Sequence, residues 1–467
     1  MCAFDSNKLQ GREKRLSTLS AYLGTAHNLF KEDEDRQNIR TFSEAAFDEI
    51  IYAIETIASI EDSVIVIHGP SGCGNVNLHY FAEGSKFNWY STNLTERDSI
   101  LGGDEKLRET IYLAHKKHEP KIIFIVATSV VAINNDDISA AALELEEELD
   151  AKIVPIFTDG FKSKAAVNGY DVALHAIGKY LIKGNGDGEE EKSNFLNLIS
   201  ISENNENIKE ILLLLKELNI ETNLIPKFAD NEGLKKSIKA KVSVALNDDE
   251  GYFLGRGLEE AYDVPYIETT SPIGSKNTAT WIQQVAEVFS TGDKVKKIID
   301  REISKKRKLI YEAPLTGLKI YIDLKTTEAI SLIPLVKEYG GEVVGITVDE
   351  VDKINKNKFE GLKYDLPVHV ASGQLFEVAN ILNKTKPDIY IGEAGKTAWV
   401  SKLGIIPVSV ANAVLYGFNG EQKLIESIKK AERNKELIND MSKKGNLQYK
   451  NGWLKKSTNW YIKQEVK

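Results

Sequence analysis

Thiols are almost absent from this chain. Its 467 residues include two cysteines, Cys2 and Cys73, and two methionines. So few cysteines exclude a disulfide framework and a self-contained four-cysteine metal site, and they fit a reducing compartment. Cys2 stands at a terminus, where fraying is the rule, and takes no role. Long apolar runs are also missing. None reaches the roughly 18–20 residues of a membrane span. Met1 to Arg15 is polar and lacks the apolar core of a signal peptide. The expectation is a cytoplasmic protein. Surplus positive charge is lacking too. The net charge is -9, which disfavours nucleic-acid binding, because that depends on Lys and Arg neutralising phosphates.

What is present is ordinary for a globular protein: 42% hydrophobic and 28% charged residues. A chain of this length suggests about three domains and can bury several cores without covalent staples. Thr41-Phe42-Ser43-Glu44 has the spacing of a capping box. Phe47, Ile50, Ile51, Ile54 and Ile57 follow with helical period. Strands are expected at Val64–Ile67, Ile122–Val126 and Ile153–Phe157, with helices at Asp104–Lys117 and Ile138–Leu149. That alternation predicts a parallel sheet with helices on its faces. Lys183 to Lys192, glycine-rich and charged, is a linker pattern. A second α/β unit follows, with helices Ile208–Leu218, Leu254–Tyr262 and Thr280–Phe289 and strand Val242–Leu246. The charged helix Lys294–Lys308 leads to a third unit. Its strands are Leu318–Ile322, Val343–Val348, Asp388–Ile391 and Pro407–Val410, and its helix is Leu424–Arg433. The fold class is α/β, with three Rossmann-like domains at 1–190, 191–315 and 316–430. A segment at 431–467, carrying Trp453 and Trp460, docks back.

The strongest local signal is His68-Gly69-Pro70-Ser71-Gly72-Cys73-Gly74, a loop directly after a strand. Such a loop brings side chains to the carboxyl edge of a sheet, where ligands collect. It lacks the Gly-Lys-Ser/Thr ending of a phosphate loop, and its glycine spacing is wrong for a dinucleotide fingerprint. A cysteine among small residues can approach a bulky iron–sulfur cluster, for which a thiolate is a suitable soft ligand. A tight turn with an inert buried cysteine fits the same residues. His68 is a structural hydrogen-bonder rather than a base. The remaining histidines show no metal-ligand spacing.

His68 to Cys73 resembles the His-Gly-Pro-x-Gly-Cys cluster loop of the nitrogenase component 1 family. Further likenesses follow in order. They are Thr92 with Asp98, Gly102-Gly103 and Lys106-Leu107; Asn135-Asp136-Asp137-Ile138; Asp159-Gly160-Phe161 and Gly169-Tyr170. Later come Leu258 to Pro265, Pro272-Ile273-Gly274, Pro387-Asp388 and Gly404-Ile405. The resemblance implies three α/β domains per subunit and a bridging iron–sulfur cluster shared between paired subunits. It also implies an ATP-dependent iron–sulfur reductase as electron donor.

The departures from that family pattern narrow the expectation. Where such subunits supply three cysteines, this chain has Ser20 (in Ser20-Ala21-Tyr22), Cys73 and Ser129. The cysteine and histidine that anchor the metal cofactor match Asn247 and Asn412, whose amides suit hydrogen bonds to an organic molecule better than metal ligation. Each asparagine equally suits a local cap. A cluster of the [4Fe-4S] type takes about four protein ligands, so one cysteine here calls for a cysteine-richer partner. The resemblance thus implies a nitrogenase-like oxidoreductase subunit in a hetero-oligomer or homodimer with a second component 1-like subunit. Cys73 is the metal ligand, and Gly72, Ser20, Ser129, Asn247 and Asn412 are cofactor-side residues. The expected activity is reduction of a small or tetrapyrrole-like substrate. The alternatives are a non-catalytic cofactor-assembly scaffold and a metallophore- or small-molecule-binding protein.

Overall fold

A computed structural model describes residues 4, 21–29, 38–44, 48–73, 87–158, 165–183, 191–362, 364–393, 397–411, 413–444 and 449–464. The first strands are β1 (Tyr22–Thr25) and β2 (Asn38–Arg40). The first sheet is built from β3 (Ser63–His68), β4 (Asn88–Ser91), β5 (Ile122–Ala127) and β6 (Lys152–Ile156), all parallel, in the order β4-β3-β5-β6. Every residue of β5 is buried, as a parallel sheet covered on both faces requires. The second sheet contains β7 (Phe195–Ser200), β8 (Glu221–Pro226), β9 (Val242–Ala245) and β10 (Tyr266–Ile267), in the order β10-β9-β7-β8. The third contains β11 (Lys319–Asp323), β12 (Glu342–Val348), β13 (Pro367–Val370), β14 (Ile389–Gly392) and β15 (Ile406–Ser409). Its order is β1-β13-β12-β11-β14-β15, with β1 antiparallel to β13. The α/β class with parallel sheets is therefore present as expected.

In each sheet the run of parallel strands starts in the middle, moves to one side, and then returns to the other, β1 being added at the edge of the third. The strand order reverses between β3 and β5, between β7 and β9, and between β11 and β14. A crevice opens at the carboxyl ends of the strands at each reversal. Three such crevices set the positions of all the candidate sites below.

Local patterning explains most elements. The helix Asp104–His118 has acids in its first turn and bases in its last, complementing its dipole. β7 and β8 carry no expectation from the sequence. Phe195 to Ser200 is too short an apolar run to separate from buried helix. The helix expected to begin near Thr41 is a correction. It runs Glu49–Ile57, with Asp48 as its N-cap. Glu44 instead accepts from Phe376 N–H at 2.7 Å and from the Tyr449 hydroxyl at 2.7 Å. The capping-box spacing is satisfied by tertiary partners rather than a local turn.

The termini meet on the third unit. β2 pairs antiparallel with β16 (Ile462–Gln464). Phe42 packs against Phe376, Trp453 and Tyr461. The Asn380 amide donates to three carbonyls of the C-terminal segment, those of Trp453, Leu454 and Lys456. Trp460 is exposed, with the Lys456 ammonium over its ring. Most of the 183–192 linker lies outside the described residues. No helix among the described residues is long and apolar enough to cross a membrane.

Candidate functional site

The first crevice holds the Cys73 loop. β3 ends at His68, and the chain turns at Gly69. A Cβ at Gly69 would collide with the Thr128 side chain, so only glycine lets the turn pass β5. Cys73 N–H donates to the Pro70 carbonyl at 3.1 Å, closing a tight turn. Gly72, one residue earlier, has open space where a side chain would be. The Cys73 thiol is half-buried. Burial pushes its pKa up, and the Asp48 carboxylate adds to the effect.

Ser129 opens the helix Ser129–Asn134 directly after β5, on the other side of the same crevice. Its hydroxyl donates to Asp48 Oδ2 at 3.1 Å. Cys73, Gly72 and Ser129 are thus brought to one crevice, with Asp48 hydrogen-bonded to the hydroxyl and its charge felt by the thiol. The serine is a donor to a carboxylate here, an arrangement unlike that of a metal ligand. Ser20 lies outside the described residues. The fit to an iron–sulfur cluster is therefore one soft ligand from this chain, on a turn whose Gly72 is exposed. Among the described residues no group of three or more His, Cys, Asp or Glu is arranged to hold a metal ion.

Several scattered sequence features converge behind this loop. His68 is fully buried. Its Nδ1 lies 3.1 Å from Thr92 Oγ1, and its Nε2 lies 3.2 Å from Asp136 Oδ2. Burial lowers the His68 pKa, and Asp136 opposes that shift. Asp98 and Lys106 pair at 2.6 Å, and Asp98 also closes the capping box of the helix Glu96–Leu101.

The second and third crevices meet in a junction of charge that the sequence did not reveal. Lys325 follows β11. Its ammonium donates to Ser202 and Glu250, which follow β7 and β9, and to the Tyr170 hydroxyl at 3.3 Å. Tyr170 in turn donates to Glu55. One lysine therefore joins all three units. Burial opposes the charge on Lys325, but Glu250, Tyr170 and Glu55 overcome it and raise the pKa. At Glu250 burial likewise opposes charge, and Lys325 holds the carboxyl below the usual range. Two further carboxyls lack so close a cation. Burial, reinforced by Glu250, pushes Glu203 up to about 7 and Glu328 up to about 8. A cavity of about 20 Å3 lined by Tyr52, Tyr170, Glu250 and Lys325 remains in the junction, room for a single water.

Asn247 lies at the edge of this junction. It caps the helix Asp248–Tyr262, its Oδ1 accepting from Asp249 N–H at 3.0 Å. Its Nδ2 is buried without a hydrogen-bond acceptor among the described residues. With one oxygen lone pair in the cap, the group Asn247 has to offer is chiefly its amide donor. Asn412 lies outside the described residues. With ammonium and carboxylate groups at its centre and no thiol or imidazole among the described residues, the junction does not fit a metal cofactor. Strand-end charges such as Lys325 and Glu250 were legible as charges, but only the docking of three sheets makes them one cluster.

Comparison with known proteins places these features. The sequence model of the family described as nitrogenase component 1 type oxidoreductase matches residues 50–431. The chain is 26% identical over 386 residues to the nitrogenase iron-molybdenum cofactor biosynthesis protein NifE of Methanococcus maripaludis, covering 78% of each chain. It is 26% identical over 395 residues to a nitrogenase molybdenum-iron protein alpha chain of Methanothermobacter marburgensis, covering 78% of this chain and 82% of that one. Among solved structures, nitrogenase Cp1 at pH 6.5 superposes with a TM-score of 0.74 at 18% identity, over 90% of this chain and 97% of the other. That last likeness speaks for the fold alone.

Proposed function

The chain belongs to the nitrogenase component 1 type oxidoreductase family, and on that premise we propose that it is the cysteine-poor member of an unequal pair of component 1-like subunits. In this reading Cys73 supplies one ligand to an iron–sulfur cluster shared at the subunit interface. An ATP-dependent iron–sulfur reductase is the electron source, and a small or tetrapyrrole-like molecule is the substrate. The carrying observation is the place of Cys73, half-buried on the turn that follows β3 in the first crevice, beside the exposed Gly72. A bound cluster would supply one-electron transfer. The chain's own part is to present the thiol, to keep the surrounding backbone close through Gly69 and Gly72, and to cover the site.

The surface beside the loop supports a partner. Ile100 and Leu101 on the helix Glu96–Leu101 are 82% and 72% exposed, and Ile133 on the adjoining helix is 69% exposed. Apolar side chains gathered at the mouth of a candidate site suit a surface that another subunit covers. With about four ligands per cluster and one thiol here, the partner must bring most of the rest.

A second reading is a non-catalytic scaffold for cofactor assembly. The similarity to NifE, named as a cofactor biosynthesis protein, favours it. So does the junction, which offers no soft ligand for a catalytic metal cofactor inside this chain. Anaerobic purification, alone and with a cotranscribed component 1-like partner, followed by iron, sulfide and visible-absorption measurement, tests both. A cluster that forms with the partner and is lost on Cys73→Ala is expected. Iron absent from both preparations sinks the shared-cluster reading. A cluster with no reductase-dependent turnover selects the scaffold.

A further inference from the structure

Four stretches far apart in sequence close on the start of the Cys73 loop: His68, Thr92, Gly103 and Asp136. Gly103 shows how tight the arrangement is. A Cβ there would stand 2.8 Å from His68 Cε1 and 2.9 Å from Asp136 Oδ2, so the glycine lets the start of the helix Asp104–His118 lie against the pair. His68 is fully buried and Thr92 nearly so. Thr92 Oγ1 accepts from Gly69 N–H at 2.9 Å. The Gly69 carbonyl accepts from Leu94 N–H at 3.0 Å. The loop is therefore gripped at its first residue on both backbone groups.

The Thr92 hydroxyl stands at the centre of the group. Its oxygen accepts from Gly69 N–H at 2.9 Å, its proton reaches the Gly69 carbonyl at 3.4 Å, and it lies 3.1 Å from His68 Nδ1. On the other side of the imidazole, Nε2 faces Asp136 Oδ2 at 3.2 Å, outside hydrogen-bond geometry. Thr92 therefore grips Gly69 directly, and Asp136 backs the buried imidazole by close electrostatic contact.

We propose that Asp136, His68 and Thr92 form a positioning relay that fixes Gly69 and so holds Cys73 at one place in the first crevice, ready for ligation. The inference rests on the reading of Cys73 as a ligand only for its purpose. The relay itself is testable without iron.

The test uses the full chain in a Cys2→Ser background, so that Cys73 is the only thiol, and chelator-treated protein free of metal. The rate of Cys73 alkylation by iodoacetamide reports how firmly the loop is held. Thr92→Val, which loses a buried hydrogen bond to Gly69, and Asp136→Ala, which removes the carboxylate packed on His68, are each expected to raise that rate on the order of tenfold by favouring a local opening. Thr92→Ser keeps the hydroxyl and is expected to stay within about twofold of the parent. A general loss of packing would not distinguish serine from valine in this way. The proposal is overturned if Thr92→Val and Asp136→Ala label at the parental rate while circular dichroism remains native. If Thr92→Val does not fold, Asp136→Ala decides alone, because Asp136 lies in the turn between two helices, and a parental rate there overturns the relay. Failure to find iron in the anaerobic preparations would remove the shared cluster and leave this result untouched.

Discussion

The Lys325 ammonium forms a largely buried ion pair with the Glu250 carboxylate, across the contact between the third unit and the second. The same ammonium reaches Tyr170 of the first. Removing one partner of such a pair leaves a charge without compensation. Lys325→Met and Glu250→Gln are each expected to destabilise the protein by about 3–5 kcal/mol. The double variant should cost clearly less than the sum, because the two single losses share one interaction. Denaturant titration of the three variants measures this, and strict additivity would contradict the pairing.

Stability should fall as pH rises from acid to mildly alkaline conditions. The causes are Glu203 and Glu328, raised by burial to about 7 and about 8 from an ordinary 4.5. Folded protein retains protons that the unfolded chain has released, so each unit of pH between the two values favours the unfolded state. The loss begins near the unfolded pKa and is complete above the folded one. Glu328→Gln removes one of these protons from the balance and should flatten the decline between about pH 5 and about pH 8. Denaturation midpoints at the two ends give the slope.

Two neighbouring glycines should behave oppositely. Gly69→Ala drives a methyl group into Thr128 and is expected to cost about 1–3 kcal/mol or to prevent folding. Gly72→Ala enters open space and should leave stability within about 0.5 kcal/mol. If the space is where a cluster lies, Gly72→Ala lowers the iron bound per pair with no change in melting temperature. Unchanged iron content would show that the space serves something else.

Asn247 separates capping from ligand binding. Asn247→Ala loses the bond to Asp249 N–H and should cost about 1 kcal/mol. Asn247→Ser keeps an N-cap oxygen while deleting the amide donor, so its stability should stay within about 0.5 kcal/mol of the parent. A ligand held by Nδ2 would then bind more weakly to both variants. Equilibrium binding of candidate substrates to Asn247→Ser reads that donor apart from the fold, and unchanged affinity would leave Asn247 as a cap alone.

The terminal clasp is anchored by Arg40, whose guanidinium binds Glu377 at 2.7 Å and the Val370 carbonyl at 3.2 Å. Glu377 also accepts from His369. Arg40→Met should release β2 and its partner β16 from the third unit. Limited proteolysis is expected to cut near residues 38–44 several-fold faster, while the central sheets keep their protection. Equal digestion of both proteins would mean that Phe42 and its aromatic neighbours hold the clasp without the ion pair.

Sequence alone determined the fold class, because alternation of short β-branched runs with helical periodicity is a local property that parallel sheets impose. It also singled out Cys73, since a cysteine after a strand, among glycines, is legible from adjacency. The family likeness carried Ser129 and Asn247 into view. Tertiary structure decided what each of them does. Ser129 donates to Asp48, and Asn247 spends an oxygen lone pair on a helix cap. His68, Thr92 and Asp136 become a relay only when β3, β4 and the Asp136 turn are packed together. Lys325, Glu250 and Glu55 read as ordinary surface charge until three sheet edges converge and take them out of water. Patterns set by neighbours in sequence were readable; electrostatics set by distance and burial arose only when the units docked.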